Sequence, residues 1–217
     1  FILYALIAAT LPVWVLLQPR DYLSMYILVI GLVLGFAGIF VLQPEVNAPA
    51  FIGFDSAKGP LFPVLFITVA CGAISGFHSL VSSGTSSKQV LKESHAKIVG
   101  YGGMLTEGLL ALLVIAMVAS VLFWDPAAPG ANPELIFSEI LSSSNPIKVF
   151  GLAFSNTVTS IGIPEPVGFA FGILMLNAFI LTSLDTSARL NRYIVQETVG
   201  AKFGGIFKNK IFASGLS

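Results

Sequence analysis

Charge is what this sequence lacks most. Only 10% of its 217 residues are charged, against about a quarter in an average soluble domain. A surface in contact with water needs more charge than this, and a disordered chain has far fewer apolar residues than the 55% found here. Basic and acidic residues number 11 each, so there is no basic footprint for nucleic acid. The composition therefore excludes a soluble domain, a disordered segment and a nucleic-acid-binding module.

Cysteine is nearly absent as well. The single cysteine, Cys71, has no partner in the chain for a disulfide, and one cysteine cannot supply a cysteine metal site. Zinc-binding spacings, phosphate-binding loops and nucleophile elbows are also missing from the sequence. We therefore expect no metal site, no catalytic residue and no cofactor, with Na⁺ as the one bound ion that the sequence leaves open.

Apolar runs, by contrast, are long and frequent, and the mean hydropathy is +0.89. A helix needs about 20 mostly apolar residues to cross a hydrocarbon core about 30 Å thick. The runs predict an all-α, polytopic membrane helical bundle. Its five membrane helices are expected at about 1–17, 25–42, 61–87, 100–123 and 167–196.

Glycine and proline mark contacts and turns between these helices. Gly31, Gly35 and Gly38 lie on nearly one face of the second helix, a spacing that lets helices approach closely in a bilayer. Residues 18–24 (QPRDYLS) are predicted to form a polar loop that its proline keeps from being helical. Glu165, between two prolines, is predicted to lie in a rigid external turn.

The lysines and arginines set the expected orientation. Residues 88–97 hold three lysines, and the C-terminal end holds five more bases, Arg189, Arg192, Lys202, Lys208 and Lys210. The positive-inside rule places both basic regions in the cytoplasm. The region 124–166, between the fourth span and the last one, must then contain an even number of membrane crossings. The simplest solution is that residues 147–164 form a re-entrant or surface helix that does not span.

The first candidate site is a polar run inside the third membrane segment, CGAISGFHSLVSSGTSSK at 71–88. Glycines there allow the backbone to leave the helix, and broken helices expose N–H and C=O groups where transporters bind substrates. The expected substrate-binding residues are Gly72, Ser75, Gly76, His78 and Ser79. The alternative is a tightly packed helix whose serine hydroxyls bond to their own backbone carbonyls.

The second candidate site lies in NAFILTSLDTSARLNRY at 177–193. Hydroxyl and carboxylate oxygens suit Na⁺, and a carboxylate also suits H⁺, so Thr182, Ser183 and Asp185 are the expected ion-coupling residues. The alternative for Asp185 is an interfacial ion pair with Arg189 at i,i+4. Glu107, alone in the fourth span, is open to a proton-relay role and to a structural role alike.

Three blocks of the sequence resemble the carbon starvation protein A (CstA) family. They are LLQPRDYLS at 16–24, CGAISGFHSLVSSGTSSKQ at 71–89 and ILTSLDTSARLNRYIVQE at 180–197. Family members are much longer bacterial inner-membrane proteins. The chain starts at Phe1 inside a hydrophobic run, so we expect it to be a partial transporter domain over 1–217, with the remainder of a longer polypeptide and membrane lipid as its partners.

The resemblance implies a fold and a function. The fold is an inverted-repeat transporter with a discontinuous helix at 61–87, an external helical hairpin at about 133–163 and an ion site at Thr182 and Ser183. The function is uptake of small peptides or pyruvate by a multi-pass protein of the bacterial inner membrane, driven by H⁺ or Na⁺. The residues themselves also leave open a membrane receptor or sensor, an ion channel, and an intramembrane enzyme that uses His78 with Ser75 or Ser79.

Overall fold

The computed structural model describes residues 4, 7, 10–11, 13–51, 53–56, 59–74, 76–125, 135–143 and 146–199. Most of this part of the chain is helical, as predicted. The elements in chain order are α1 (Val13–Leu42), β1 (Asp55–Ser56), β2 (Gly59–Pro60), a π-helical turn (Leu61–Leu65), α2 (Phe66–Ile74), α3 (Gly76–Val81), a π-helix (Ser82–Ser86), α4 (Ser87–Gln89), α5 (Glu93–Val121), α6 (Phe137–Ser143), α7 (Pro146–Thr159), α8 (Glu165–Ile194) and a closing π-helix (Val195–Val199).

Three of the described helices are long and apolar enough to cross a membrane, over Gln18–Leu42, Glu93–Val121 and Glu165–Thr198. A shorter apolar helix covers Leu61–Ala70. This confirms an all-α membrane protein at the level of its main helices. The predicted span at 1–17 lies mostly outside the described residues, so the count of five membrane helices and the inverted repeat remain predictions.

The polar loop predicted at residues 18–24 is wrong, because α1 runs through all of them with Pro19 inside the helix. A proline removes one backbone donor, and membrane helices tolerate this loss when the other backbone bonds stay within the helix. The charges are accommodated locally, since Arg20 Nη2 donates to Asp21 Oδ1 at 2.9 Å. The polar residues of this stretch therefore lie on a continuous helix.

Two further boundaries differ from the prediction. Helix α5 starts at Glu93, so the expected basic loop at 88–97 is helical in its second half. Glu165 is the first residue of α8 and is not part of an external turn. A carboxylate at a helix N-terminus is favoured by the helix dipole, and proline fits the first turn of a helix, which suits Pro166. The last three predicted C-terminal bases, Lys202, Lys208 and Lys210, lie outside the described residues.

A short antiparallel hairpin is also present among the described residues. Strands β1 and β2 pair with Asp55 opposite Pro60 and Ser56 opposite Gly59, and the Leu61 amide then donates to the Phe54 carbonyl at 2.7 Å. The sequence pattern gave no sign of these two-residue strands. They lie directly before the π-helical turn at Leu61–Leu65, where Phe62 has non-helical backbone angles.

One compact unit comprises residues 20–50 and 100–181, and α7 lies at its core. Helix α7 buries eight residues, among them Phe154, which stacks on Phe150 and Phe171 with ring centroids 5.8 and 5.9 Å apart. With 14 residues, α7 is about 21 Å long, shorter than the hydrocarbon core. Helices α6 and α7 correspond to the predicted hairpin at 133–163, and its external or re-entrant position remains a prediction.

The glycine face of α1 makes close contacts in this unit, as the spacing predicted. A Cβ at Gly35 would lie 2.7 Å from Leu113 of α5, and a Cβ at Gly31 would lie 2.5 Å from Met175 of α8. At Gly38 the nearest atom would be the Thr157 carbonyl oxygen of α7, at 2.6 Å. Because that atom belongs to the backbone, it cannot move aside as a side chain can.

The second compact unit comprises residues 1–19, 51–99 and 182–217, of which only part is described. It contains the polar run at 76–89 and the C-terminal part of α8. Both candidate sites from the sequence therefore lie in this unit.

We expect Gly38→Ala to destabilise the protein by about 1–3 kcal/mol, because the added methyl group would overlap the Thr157 carbonyl. The measurement is the apparent melting temperature of the full-length protein in detergent. Gly100→Ala is the matched control, since nothing lies within 4 Å of a Cβ at that position. Equal melting temperatures for the two variants would show that α1 and α7 are not in close contact.

Candidate functional site

The polar run is helical over most of its length. Gly72 lies within α2 and Gly76 is the first residue of α3, while Ser75 between them lies outside the described residues. The break predicted at 72–76 therefore remains a prediction. The described change of backbone geometry comes later, at Ser82–Ser86, where the helix widens to a π-helix. π-helical turns within helices occur frequently at functional sites.

Several hydroxyls of this run bond to carbonyls of the preceding turn. Ser82 and Ser83 donate to the Ser79 carbonyl at 2.9 and 3.0 Å, and Ser87 donates to the Ser83 carbonyl at 2.8 Å. For these three serines the hydroxyl bonds of the structural alternative are confirmed, while the close packing that it also included is not shown. Their hydroxyls satisfy themselves within the helix, as they must where water is scarce.

His78 and Ser79 are exposed on α3. The His78 ring lies 5.8 Å from the ring of its neighbour Phe77. Neither side chain lines a described cavity, so a role in substrate binding remains a prediction for both residues.

A cleft of about 560 Å³ lies beside the second half of the polar run. One wall comes from the π-helix and α4, and the other from the end of α8 and the π-helix that follows it. The lining residues are Gln18, Leu80, Ser83, Gly84, Thr85, Lys88, Gln89, Arg189, Leu190, Tyr193, Ile194 and Glu197. A Cβ at Gly84 would lie 3.1 Å from Leu190, so the absence of a side chain lets the two walls meet closely.

Asp185 is the most deeply buried ionisable group in the described part of the chain, with 0% of its surface exposed. It lies on α8, 20 residues and about 30 Å from the start of that helix at Glu165. Its Oδ2 atom accepts a hydrogen bond of 2.9 Å from the Tyr4 hydroxyl. Thr182 and Ser183 are half-buried one turn earlier, and Thr186 donates to the Thr182 carbonyl at 2.9 Å.

Two buried arginines follow on the same helix. Arg189 is 2% exposed, lines the cleft and donates from Nη2 to the Leu11 carbonyl at 2.8 Å. Arg192 is 5% exposed, and its guanidinium lies 4.6 Å from the centre of the Tyr193 ring. The i,i+4 pairing of Asp185 with Arg189 remains a prediction. Placing a carboxylate and two guanidinium groups out of water costs free energy unless each has polar partners. Packing alone does not explain these three buried charges, so this face of α8 is a candidate functional surface.

Glu107 has a different environment. It is exposed on α5, inside the candidate span Glu93–Val121. A Cβ at Gly102, Gly103 or Gly108 would meet no atom within 4 Å. Among the described residues, none therefore packs against these three glycines.

Sequence reasoning found Asp185 and Arg189 but missed much of their surroundings. It missed Tyr4 and Leu11, which are distant in sequence and carry no motif. It also missed the cleft, although a signal was present. Arg189, Tyr193 and Glu197 continue the spacing of four that starts at Asn177, and Leu80, Gly84 and Lys88 share the same spacing. Residues four apart lie on one helix face, so each series predicts one wall of the cleft.

Apolar helices of spanning length, one of which buries a carboxylate, define a helical membrane protein. The chain belongs to the family described as carbon starvation protein CstA, whose model matches residues 1–129 and 130–216. The resemblance inferred from the three sequence blocks is therefore confirmed.

Curated relatives carry transporter names. The chain is 33% identical to the pyruvate/proton symporter BtsT of Escherichia coli K12, over 91% of this chain and 36% of that protein. It is 34% identical to the peptide transporter CstA of the same organism, over 94% and 35%, and 34% identical to the peptide transporter CstA of Bacillus subtilis 168, over 99% and 41%. The chain thus spans only about a third to two fifths of these relatives. No solved structure matches it.

We expect Tyr4→Phe to lower stability by about 1–3 kcal/mol, because it takes a donor from a fully buried carboxylate. The apparent melting temperature of the full-length protein measures this. Tyr101→Phe is the control, since Tyr101 is exposed and its hydroxyl makes no hydrogen bond within the described ranges. An unchanged melting temperature for Tyr4→Phe would show that the bond to Asp185 does not stabilise the protein.

Proposed function

We propose that this chain is part of a secondary transporter that takes up small peptides or pyruvate and is driven by H⁺ or Na⁺. In this proposal it is a multi-pass protein of the bacterial inner membrane, and it is not an enzyme. The names of the relatives support the substrate classes, and one of them includes proton symport. The observation on this chain that carries the proposal is the buried carboxylate of Asp185 on a helix long enough to span.

Asp185 has the chemistry of a coupling site. An ionisable group at membrane depth is costly and is kept where it serves transport of ions or protons. Asp185 can take up a proton, or it can hold Na⁺ together with the Thr182 hydroxyl one turn earlier, and Ser183 is the third ion-coupling residue that we propose. Either event removes the net negative charge of the buried carboxylate.

The contacts of Asp185 and Arg189 suggest how ion binding at Asp185 changes the link between α8 and the N-terminal segment. Tyr4 and Leu11 come from the N-terminal segment, and each is bonded to one of these two residues. The Tyr4 hydroxyl donates to a carboxylate oxygen, a bond that is strongest when the carboxylate is ionised. Neutralising Asp185 therefore weakens one of the two described links between the N-terminal segment and α8, and so biases the unit toward another arrangement.

The substrate-binding residues that we propose are Gly72, Ser75, Gly76, His78 and Ser79. In this proposal the backbone breaks near Gly72–Gly76 and presents N–H groups to a substrate carboxylate, because the N-terminus of a half-helix attracts anions. His78 and Ser79 lie in the helical stretch that follows. Peptides and pyruvate both carry such a carboxylate.

The remainder of a longer polypeptide is the second partner that we propose, together with membrane lipid. The relatives are more than twice as long as the aligned region. Exposed Glu107 within an apolar span is a poor fit to acyl chains, because a carboxylate in lipid is costly. The open glycines around it leave room for another helix to pack closely.

We expect Asp185→Asn to abolish gradient-driven accumulation, with a reduction of at least about tenfold. Asparagine keeps an oxygen that accepts from Tyr4 but cannot bind a proton. The assay is uptake of labelled pyruvate and of a dipeptide by the full-length protein in proteoliposomes, with H⁺ and Na⁺ gradients imposed separately. Asp21→Asn is the control, because the Asp21 side chain is 44% exposed and pairs with the adjacent Arg20.

The outcomes separate the parts of the proposal. Retained gradient-driven accumulation in Asp185→Asn would contradict the coupling role. Normal uptake by Ser75→Leu would remove Ser75 from the substrate site. A wild-type protein that binds a substrate but shows no counterflow in sealed vesicles would be a receptor and not a transporter.

A further inference from the structure

The cleft of about 560 Å³ is not used by the coupling site or by the proposed substrate residues. Its size falls within the range of about 300–1,000 Å³ that is typical of small-molecule pockets. It shares Arg189 with the buried face of α8, and its other charged lining residues are Lys88 and Glu197. Under the positive-inside rule this end of the unit faces the cytoplasm.

The cleft contains charges of both signs that do not neutralise each other. Within the described ranges, Lys88 and Glu197 make no ion pair within 4.0 Å, with each other or with a third residue. Both side chains are exposed, so they are accessible to a solute. Arg189 is almost fully buried at the cleft wall and adds a second positive charge to the lining.

We propose that this cleft is a second substrate site, at the cytoplasmic end, that binds small zwitterionic peptides. The proposal rests on the peptide-uptake function proposed above. Lys88 binds the peptide carboxylate, the positive charge of Arg189 in the cleft wall attracts it, and Thr85 and the Gln18 amide lie within the same lining to complete its contacts. Glu197 binds the terminal ammonium group.

Size and charge favour a peptide over pyruvate as the occupant. Pyruvate is much smaller than the cleft and has no cation to offer to Glu197. An extended dipeptide is about 7 Å long, so its termini can reach acid and base groups that stay more than 4.0 Å apart. The apolar residues Leu80, Leu190 and Ile194 line the same space and offer contacts to peptide side chains.

The test is a local protection assay on the full-length protein. Gln89→Cys, in a cysteine-free background, places a thiol at the cleft lining, and its labelling rate by a maleimide is measured against increasing alanylalanine. We expect alanylalanine to slow labelling, and N-acetylalanylalanine to need about tenfold higher concentration, because it has no ammonium group for Glu197. Glu45→Cys, an exposed position away from the cleft, is the reporter control and is expected to show no protection.

Charge variants identify which end of the peptide each residue binds. In Glu197→Gln the difference between the two peptides is expected to vanish, while Lys88→Gln weakens protection by both peptides about tenfold. Glu93→Gln and Lys92→Gln are the matched controls, since both residues are exposed and neither lines the cleft.

Three results would overturn the peptide site. They are no protection by alanylalanine, equal protection by both peptides in the wild type, and stronger protection by glycerophosphoethanolamine, which would indicate a lipid-headgroup site. Uptake of labelled alanylalanine, measured in parallel, keeps the two proposals apart. Uptake of alanylalanine without protection of the Gln89→Cys thiol would refute only the peptide site in the cleft. Protection without uptake of either substrate would support peptide binding in the cleft and refute the transport function.

Discussion

A carboxylate with no exposed surface, on a helix otherwise fit to cross a lipid bilayer, is the constraint around which one unit of this chain is arranged. Asp185 needs polar partners because neither lipid nor packed side chains can solvate it. Tyr4 supplies a hydroxyl from the other end of the described chain. Arg189, one turn on, binds the Leu11 carbonyl. The N-terminal segment and α8 are thus joined by polar bonds, where a water-soluble protein would rely on apolar contact.

The other unit is held by close packing. Helix α7 is surrounded by the apolar faces of the longer helices, and the glycines of α1 let a backbone carbonyl of α7 approach within 2.6 Å of where a Cβ would stand. Apolar attraction between helices is weak in lipid, so small residues and short approach distances replace it. The two units therefore illustrate two different ways of stabilising helices in a membrane.

The apolar runs predicted the membrane class and most of the long helices, because hydrocarbon thickness fixes helix length. The close contacts of the glycine face of α1 were also predictable, because three glycines on one face of a helix indicate that another helix packs there. Local signals failed at residues 18–24 and at Glu165. There a proline or a charge suggested a loop, but the need to keep backbone bonds within the helix outweighed the preference of the individual residue.

The candidate site was predictable only where its residues share a helix. Asp185 and Arg189 can be found in the sequence as charges in an apolar helix. The π-helix at Ser82–Ser86 was not predicted, since the break in the backbone was expected at 72–76. Tyr4 and Leu11 carry no such mark, because a contact across 181 residues depends on the tertiary fold. The two walls of the cleft each follow a spacing of four, but their meeting cannot be derived from either series alone.

The short backbone bridge near the start of α6 has a consequence for how the family can vary. The Phe123 amide donates to the Leu135 carbonyl at 2.9 Å, the Phe137 amide donates to the Phe123 carbonyl at 2.8 Å, and the Trp124 ring stacks on Phe137 at 4.2 Å. These contacts fasten together the two ends of the intervening segment, whatever its length. The two stretches of the family match meet inside that segment, between residues 129 and 130. Because the two ends are held together, a change in the length of the segment between them has a small entropic cost.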